Sequence, residues 1–341
     1  MTEGRPTVMN LIGAVLDERY QIQSLLGEGG MGAVYRAVQP EGPPVAIKVL
    51  HEELGGAAEL RERFEREARA LFGLEHPHIL HVIDFGITEG RPYLVMELLA
   101  GKSLDALIEE ESLHPEQAFD LATQVLEGLA FAHQSGVLHR DLKTENVFVT
   151  HDANGRPIAK LLDFGLAKFT DDERWGSSAK LTVQGSIFGT PAYMPPEQCA
   201  GAPVDARGDV YAIGVILFEL FTGEWPFMED TRMKMFQAHF RKPVPRMSDT
   251  VEGATFREEL EAIVQKAMAK AADDRFQHAG EMLTALRQVP RPVARGEGIV
   301  SLTPNAPGEG GVPRNVLIGI AATLALLIVA AVIALVVMFA I

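Results

Sequence analysis

The chain has 341 residues, 47% hydrophobic and 23% charged, an ordinary globular composition with room for two domains or one two-lobed unit. Its net charge of -15 disfavours binding to phosphate backbones, so we expect no nucleic-acid partner. The single cysteine, Cys199, excludes an intrachain disulfide and any multi-cysteine metal site, and we expect it to be a small buried hydrophobic residue.

The first third of the chain predicts short strands and one helix. After an N-terminal extension, residues 1–12, we expect a small β-rich lobe over residues 13–98. The runs VAIKVL (45–50) and PYLVMEL (92–98) are β-branched and apolar, which is typical of strands. Between them, an amphipathic segment predicts a helix, because apolar residues recur at helical spacing at Leu60, Phe64, Ala68 and Leu71.

Glycines precede the first of these strands in the segment GEGGMGAVY (27–35). Gly27, Gly29 and Gly32 have the GxGxxG spacing, and glycine lets a backbone approach a phosphate closely. A strand-like stretch follows them rather than a helix, which indicates a strand-loop-strand flap over a nucleotide. Taken alone the spacing is weak, and a plain glycine turn remains the alternative.

Lys48 and Glu67 are polar residues at positions where apolar side chains dominate. Lys48 lies within VAIKVL, where an outward-facing lysine is the common case. Glu67 lies on the stripe that the helix should turn toward the core, where an unpaired carboxylate would be costly. We therefore predict a Lys48–Glu67 ion pair that holds the lysine ammonium near phosphate oxygens.

The segment HRDLKTEN (139–146) carries five ionisable side chains and a single apolar one. Asp141 is suited to accept a proton, Lys143 to neutralise a phosphoryl group, and Asn146 to bind Mg²⁺. Two predicted strands follow, joined through Asn154-Gly155 and leading to Asp163, a carboxylate that a hard cation prefers. The hairpin should bring Asn146 and Asp163 to the same end, which disfavours a plain surface turn.

The second half of the chain predicts helices and ends in an apolar run. Residues 209–223 are apolar nearly all round but too short to cross a bilayer, which predicts a buried central helix. Residues 291–315 are rich in proline and glycine and predict a flexible linker. Residues 316–341 contain no charge, and 26 residues span the ~30 Å hydrocarbon core, so we predict a transmembrane helix rather than a buried core helix.

The apolar C-terminus sets the expected location of the chain. The N-terminus lacks a stretch long enough for a signal peptide, so we expect a single-pass protein of the cell membrane with its large part in the cytoplasm. Arg291, Arg295 and Arg314 agree weakly with this orientation. Small residues four apart, Ala321 and Ala325, leave a homodimer through the tail as an open alternative.

Several motifs in order resemble those of a known family. GEGGMGAVY, VAIK, Glu67, HRDLKTEN, DFG, GTPAYMPPEQ, DVYAIG and Arg275 follow one another as in eukaryotic-like bacterial Ser/Thr protein kinases, over about residues 20–290. The resemblance implies an α+β, two-lobed protein kinase fold, with a β-rich N-lobe at 13–98 and a hinge and helical C-lobe at 99–290. It implies transfer of the ATP γ-phosphoryl group to protein Ser/Thr hydroxyls.

The resemblance also assigns roles to individual residues. Asp141 would be the catalytic base, Lys143, Lys48 and Glu67 would assist, and Asn146 and Asp163 would bind Mg²⁺, with Mn²⁺ as an alternative. ATP would contact a set drawn from both lobes: Gly27, Glu28, Gly29, Gly30, Gly32, Val34, Ala46, Lys48, Met96, Glu97, Leu99 and Phe148. Glu197 would pair with Arg275, Asp209 would anchor the catalytic loop, and Thr190 would serve substrate docking.

The sequence also predicts a site of regulation and departs from the family pattern at three positions. The positive charge of Arg140 would be met by a phosphorylated residue in the segment 163–197. Thr182 is the favoured site of autophosphorylation, ahead of Ser177, Ser178 and Ser186. A mobile polar loop with incidental hydroxyls is the alternative. Gln184 stands where the family often has a second threonine, Pro195 where alanine is usual, and Thr144 where proline is usual. We expect Thr144→Pro to have little effect.

Two other functions are alternatives to the phosphorylation of proteins. An inactive kinase-like scaffold is disfavoured because every expected catalytic group is present. A phosphotransferase for small molecules would lack the long segment between DFG and PPE that provides a peptide-docking platform.

Overall fold

The computed structural model describes residues 11–29, 32–51, 58–110, 113–164, 191–252 and 254–291. Within these ranges, no helix combines the length and the apolar character needed to cross a membrane. The predicted transmembrane helix at 316–341 lies outside the described residues.

The N-lobe is a six-stranded antiparallel sheet with one helix. The sheet order is β1-β2-β3-β4-β6-β5. Its elements are β1 (Val15–Leu16), β2 (Tyr20–Gly29), β3 (Gly32–Val38), β4 (Val45–Leu50), α1 (Ala58–Phe72), β5 (Val82–Thr88) and β6 (Arg91–Glu97). The predicted β-rich lobe with a single helix is therefore present in the described part.

Strand β4 is buried along its whole length because both of its faces are covered. Val45, Ile47 and Val49 face one apolar cluster of the sheet. Ala46 and Leu50 face the other way, into the large core that also contains residues of α1 and the C-lobe. Since side chains alternate along a strand, Lys48 points with Ala46 and Leu50 toward that large core.

Helix α1 follows the amphipathic pattern of its sequence. Phe64, Ala68 and Leu71 are buried. Phe64 packs edge-on against Phe85 of β5, with ring centroids 6.4 Å apart. Glu67 lies half-buried on the same face as these residues.

The C-lobe is mostly helical and carries a small three-stranded sheet. Its helices are α2 (Leu104–Glu109), α3 (Pro115–Gln134), α4 (Pro196–Cys199), α5 (Ala206–Thr222), α6 (Arg232–Arg241), α7 (Met247–Thr250), α8 (Glu258–Ala267) and α9 (Ala279–Gln288). The strands β7 (Lys102–Ser103), β8 (Val147–His151) and β9 (Pro157–Leu161) form the sheet in that order. Short 3-10 turns lie at Thr144–Asn146, Pro191–Tyr193 and Ala272–Asp274.

Helix α5 is the predicted buried central helix. Residues 208–222 are all buried. Its first turn is capped by the Asp205 side chain, which accepts a hydrogen bond from Arg207 N, and it ends at Gly223, whose φ of 74° lies in the left-handed region. An apolar helix capped at both ends can sit inside the lobe without leaving its terminal backbone groups unpaired.

The hairpin of β8 and β9 places the two predicted metal ligands at one end. Val147 pairs with Leu161, so Asn146 directly precedes β8 while Asp163 follows β9 by two residues. Leu162 N donates to Asn146 O over 2.8 Å, which closes that end of the hairpin. The expected convergence is therefore observed.

Candidate active site

The glycine-rich segment forms the tip of an antiparallel hairpin between β2 and β3. Gly29 pairs with Gly32, and Gly27 pairs with Val34. A Cβ at Gly32 would lie 2.1 Å from Val49 O, so strand β4 requires glycine there. At Gly27 and Gly29, by contrast, a Cβ would meet no atom of the described chain within 4 Å. Packing does not explain those two glycines, and a phosphate approaching the backbone would.

The residues expected around an adenine ring come from both lobes. Ala46 and Met96 are paired neighbours on β4 and β6, and both are buried. Phe148 on β8 packs near the start of the C-lobe, where its ring would lie 3.1 Å from a Cβ placed on Gly101. Val34 and Leu99 are half-buried. These side chains provide the apolar lining that a flat heterocycle would need.

Lys48 makes an ion pair with Asp163. Its Nζ lies 2.7 Å from Asp163 Oδ1, and the lysine side chain is only 9% exposed. Burial raises the pKa of Asp163, but the Lys48 ammonium outweighs it and holds that pKa below its ordinary value. The Asp163 carboxyl is therefore charged at neutral pH. The Lys48–Glu67 pair stays a prediction.

A buried carboxylate on the central helix fixes the catalytic loop. Asp209 Oδ1 accepts from Arg140 N, and Oδ2 accepts from His139 N, each over 2.8 Å. His133 Nε2 lies 2.9 Å from the same Oδ2. Burial raises the pKa of Asp209, and the contact with His133 leads the interactions that hold it below normal. Asp209 thus anchors the loop, as the resemblance implies.

Two non-glycine residues of the site adopt left-handed backbone conformations. Arg140 has a φ of 65° and Asp163 a φ of 55°. Such conformations cost on the order of 1–3 kcal/mol each and persist where neighbours impose them. For Arg140 the constraint is Asp209. For Asp163 it includes His139, whose Nε2 lies 2.8 Å from Leu162 O and whose ring packs against Phe164.

Asp141 and Asn146 are joined directly. Asn146 Nδ2 donates to Asp141 O over 2.7 Å and to Asp141 Oδ2 over 3.2 Å. The amide nitrogen is therefore used inside the loop, which leaves the amide oxygen available as a ligand. Lys143 lies half-buried between them in sequence.

The donor set fits magnesium. Carboxylate and amide oxygens are the ligands that Mg²⁺ prefers, and Asn146 and Asp163 supply one of each at the same end of the hairpin. Asp141 Oδ2 is held beside them by Asn146. Asn146 and Asp163 would therefore hold the ion, which would offset charge on ATP phosphates.

Glu197 and Arg275 form a two-pronged ion pair away from the reacting groups. Nη1 and Nη2 of Arg275 lie 2.7 and 2.8 Å from the two carboxylate oxygens. The remaining guanidinium protons go to the carbonyls of Arg207, Ala269 and Lys270. All five N–H donors of the fully buried Arg275 side chain therefore have an acceptor.

Some predicted site residues lie outside the described part of the chain. They are Gly30, Thr182 and Thr190. Arg140 is described, and its predicted role as a receiver of phosphate stays a prediction.

The structure also shows contacts that the sequence did not predict. Lys160 Nζ lies 2.6 Å from Glu97 Oε1, linking the strand that leads to Asp163 with the residue that ends β6. A lysine inside the apolar run IAKLL was the one available signal. Thr144 Oγ1 lies 2.8 Å from Tyr193 OH, and no sequence pattern indicated that pair.

Comparisons with known proteins cover most of the chain. Residues 20–285 match the family model described as the protein kinase domain. The serine/threonine-protein kinase pkn2 of Myxococcus xanthus is 37% identical over 308 residues, covering 88% of this chain and 36% of that protein. The serine/threonine-protein kinase PknB of Mycobacterium leprae is 35% identical over 315 residues, covering 88% of this chain and 49% of that protein.

A solved structure agrees with these sequence relatives. The crystal structure of the PknI kinase domain of Mycobacterium tuberculosis superimposes with a TM-score of 0.63 at 28% identity. The match covers 81% of this chain and 98% of that domain. The sequence relatives are longer, and the chain spans between about a third and a half of their length.

Proposed function

The chain belongs to the protein kinase family, and from that premise we propose that it transfers the γ-phosphoryl group of Mg-ATP to serine and threonine hydroxyls of proteins. Residues 20–285 are a Ser/Thr protein kinase domain of the eukaryotic-like bacterial type. The observation that carries the proposal is the convergence of Asp141, Asn146 and the Lys48–Asp163 pair at one end of the β8–β9 hairpin.

The side chains divide the work of phosphoryl transfer. Asp141 accepts the proton of the acceptor hydroxyl, whose oxygen forms the new bond to phosphorus as the bond to the leaving ADP oxygen breaks. Lys48 binds ATP phosphate oxygens, and Lys143 offsets charge on the group in transfer. Asp209 acts through the backbone of His139 and Arg140 and is a positioning residue.

Glycine positions and the hinge orient the nucleotide. The open space beside Gly27 and Gly29 leaves their backbone accessible to phosphates. The backbone between Glu97 and Leu99 pairs with the adenine edge. Val34 and Ala46 contact one face of the ring and Phe148 the other, with Met96 at the back of the pocket. Bound Mg²⁺ would supply charge neutralisation on the phosphates, held by Asn146 and Asp163.

Phosphate incorporation tests the proposal. The full chain, incubated with labelled Mg-ATP and a generic basic protein, should label Ser and Thr of that protein. Asp141→Asn and Lys48→Met should each reduce the rate by at least about 100-fold, the range expected for loss of a general base or a phosphate ligand. Lys102→Met is the matched control, since Lys102 pairs with Glu110 on the surface of the C-lobe.

The same assay separates the competing functions. A chain that binds ATP but labels no protein would be an inactive scaffold. Label released on a small molecule, with none on protein, would indicate a different phosphotransferase. Either outcome would overturn the proposal.

Activation is proposed to occur through phosphorylation of Thr182 by the chain itself. The support is the position of Thr182 between DFG and Pro196-Glu197, and the presence of Arg140, a cation whose backbone is fixed beside Asp141. Thr182→Ala should lower the rate of the phosphatase-treated chain after ATP is restored, and Thr284→Ala on the exposed face of α9 should not. Full recovery of Thr182→Ala would refute the switch.

Attachment to the cell membrane is proposed from the apolar C-terminus, residues 316–341. The support is its 26 uncharged residues, with the kinase domain placed on the cytoplasmic side. Removing residues 303–341 should release the protein from the membrane fraction. A truncated chain that stays in that fraction would refute the anchor, and cross-linking of the full chain tests the homodimer.

A further inference from the structure

Thr144 is a buried threonine inside the catalytic loop. It begins the 3-10 turn Thr144–Asn146, directly after Lys143, and its side chain is fully buried. Its Oγ1 lies 2.8 Å from the hydroxyl of Tyr193.

Tyr193 is itself part of a buried polar group, which we name the Thr144 network. It consists of Thr144, Tyr193, Glu219 and Trp225. Tyr193 OH donates to Glu219 Oε2 over 2.5 Å. Trp225 Nε1 donates to Glu219 Oε1 over 2.8 Å and lies 3.2 Å from Tyr193 OH.

The hydrogen-bond directions follow from counting protons. With Glu219 charged, the single hydroxyl proton of Tyr193 is donated to Glu219, so the tyrosine oxygen accepts from Thr144. Thr144 therefore donates, and the network runs from the catalytic loop to one carboxylate. A charged Glu219 accepts from both Tyr193 and Trp225.

The network joins three parts of the C-lobe. Thr144 lies in the catalytic loop, and Tyr193 ends the turn Pro191–Tyr193 on the way to Glu197. Glu219 lies on the central helix α5. Tyr193 and Glu219 are 4% and 7% exposed, so water does not compete strongly for these bonds.

Asn146 connects the network to the reacting groups. It ends the turn that Thr144 begins, and its Nδ2 holds both the carbonyl and the carboxylate of Asp141. A shift of the turn at Thr144 would therefore move the amide that orients Asp141.

We infer that Thr144 is a positioning residue for phosphoryl transfer, because its hydroxyl fixes the turn between Lys143 and Asn146 to Tyr193 and the central helix. This role rests on the proposed function. It replaces the expectation from sequence that Thr144→Pro has little effect, since that change deletes the donor and leaves the buried Tyr193 oxygen without it.

The test is a double-mutant cycle on turnover with the full chain. Thr144→Val removes the hydroxyl at nearly constant shape, and we expect kcat for protein phosphorylation to fall about 3- to 10-fold, the worth of one buried hydrogen bond. The KM for ATP should change less than about twofold, since no phosphate or adenine contact is altered. Thr144→Ser should restore kcat.

Tyr193→Phe completes the cycle. The double variant Thr144→Val/Tyr193→Phe should turn over no more slowly than Tyr193→Phe alone, because the two changes delete the same bond. Thr123→Val is the matched control, since the Thr123 hydroxyl bonds Phe119 O within its own helix α3 and no other group in the described part of the chain. Its kcat should equal that of the wild type.

Three outcomes would overturn the inference. They are an unchanged kcat for Thr144→Val, a loss that adds to that of Tyr193→Phe, and a lower unfolding midpoint with a normal kcat per folded molecule. The last would show a purely structural role. A wild type that transfers no phosphate would refute the proposed function and the turnover role together. An unfolding cycle on the same variants would then still decide whether Thr144 and Tyr193 are coupled.

Discussion

Two buried polar clusters hold residues 191–199 to the rest of the C-lobe, and they differ in what lies at their other end. The Arg275 cluster joins Glu197 to Arg275 and to three backbone carbonyls. The Thr144 network joins Tyr193 to Glu219, Trp225 and the catalytic loop. Both follow the segment that carries Thr182, but among the described residues only the second contacts the loop that carries Asp141.

The difference separates a role in stability from a role in catalysis. In the Arg275 cluster Arg275 and Glu197 form an ion pair, and each guanidinium proton has an acceptor. Removing Arg275 therefore leaves the Glu197 carboxylate without its partner. In the Thr144 network the members are hydroxyls, an indole and one carboxyl, whose hydrogen bonds set the position of a turn. The comparison predicts that damage to the first lowers stability, and that damage to the second lowers turnover.

The largest effect is expected for Arg275→Met. Removing one member of a buried ion pair costs about 3–5 kcal/mol, because Glu197 and three carbonyls lose their donors. Urea unfolding of the full chain measures this loss. Arg69→Met, which breaks an exposed pair with Glu65 on α1, should change the unfolding free energy by less than about 1 kcal/mol.

Turnover of the folded Arg275→Met protein tests whether its loss is one of stability alone. The fraction of Arg275→Met that remains folded should phosphorylate protein at a rate within about threefold of the wild type, since none of the Arg275 hydrogen bonds within the described residues reaches the catalytic loop. A folded variant with no turnover would show that the Arg275 cluster also positions the loop, and the comparison would fail.

A pH-dependent effect is expected for Glu219→Gln. Burial raises the pKa of Glu219 from 4.5 to about 7, although Tyr193 and Trp225 donate to it. The folded chain thus holds this proton more tightly than the unfolded chain, so the stabilisation is complete below pH 4.5 and is lost as pH rises through 7.

Glutamine carries no such proton, so the variant provides the reference. The unfolding free energy of the wild type, relative to Glu219→Gln, should fall by up to about 3 kcal/mol between pH 4 and pH 8. Unfolding curves at several pH values measure it. A difference independent of pH would mean that Glu219 is already charged at pH 5, and that its burial is better compensated than the distances indicate.

The smallest effect is expected for Lys160→Met. Lys160 and Glu97 form an ion pair whose side chains are 14% and 29% exposed, and Glu97 Oε1 also accepts from His81 N. Loss of the lysine should raise the KM for ATP about two- to threefold, because the hinge loses one of two supports, with kcat unchanged. An unchanged KM would remove Lys160 from the site.

Much of the fold followed from sequence because its signals are local. The β-branched run of β4, the stripe of Phe64, Ala68 and Leu71, and the all-apolar helix α5 each appear in the structure where the periodicity placed them. The convergence of Asn146 and Asp163 followed from a hairpin, which is also local. Other predictions, including the transmembrane helix, concern residues outside the described part of the chain.

The site was less predictable where its contacts are long-range. Tyr193 and Glu219 are 49 and 75 residues from Thr144, and no periodicity connects a threonine with a tyrosine and a glutamate at such separations. The partner of Lys48 shows the same limit. Its polarity inside an apolar strand indicated an ion pair with Glu67, and the structure shows a pair with Asp163 that the sequence did not indicate.

The most direct measurement mixes the wild-type chain with its Asp141→Asn variant and labelled Mg-ATP, and then maps the phosphate on the variant. We expect no label on Asp141→Asn alone, and label on its Ser and Thr residues once the wild type is added, because Asp141 is the base and protein hydroxyls are the acceptors. Label on Asp141→Asn incubated alone at the wild-type rate, or no label in the mixture, would contradict it.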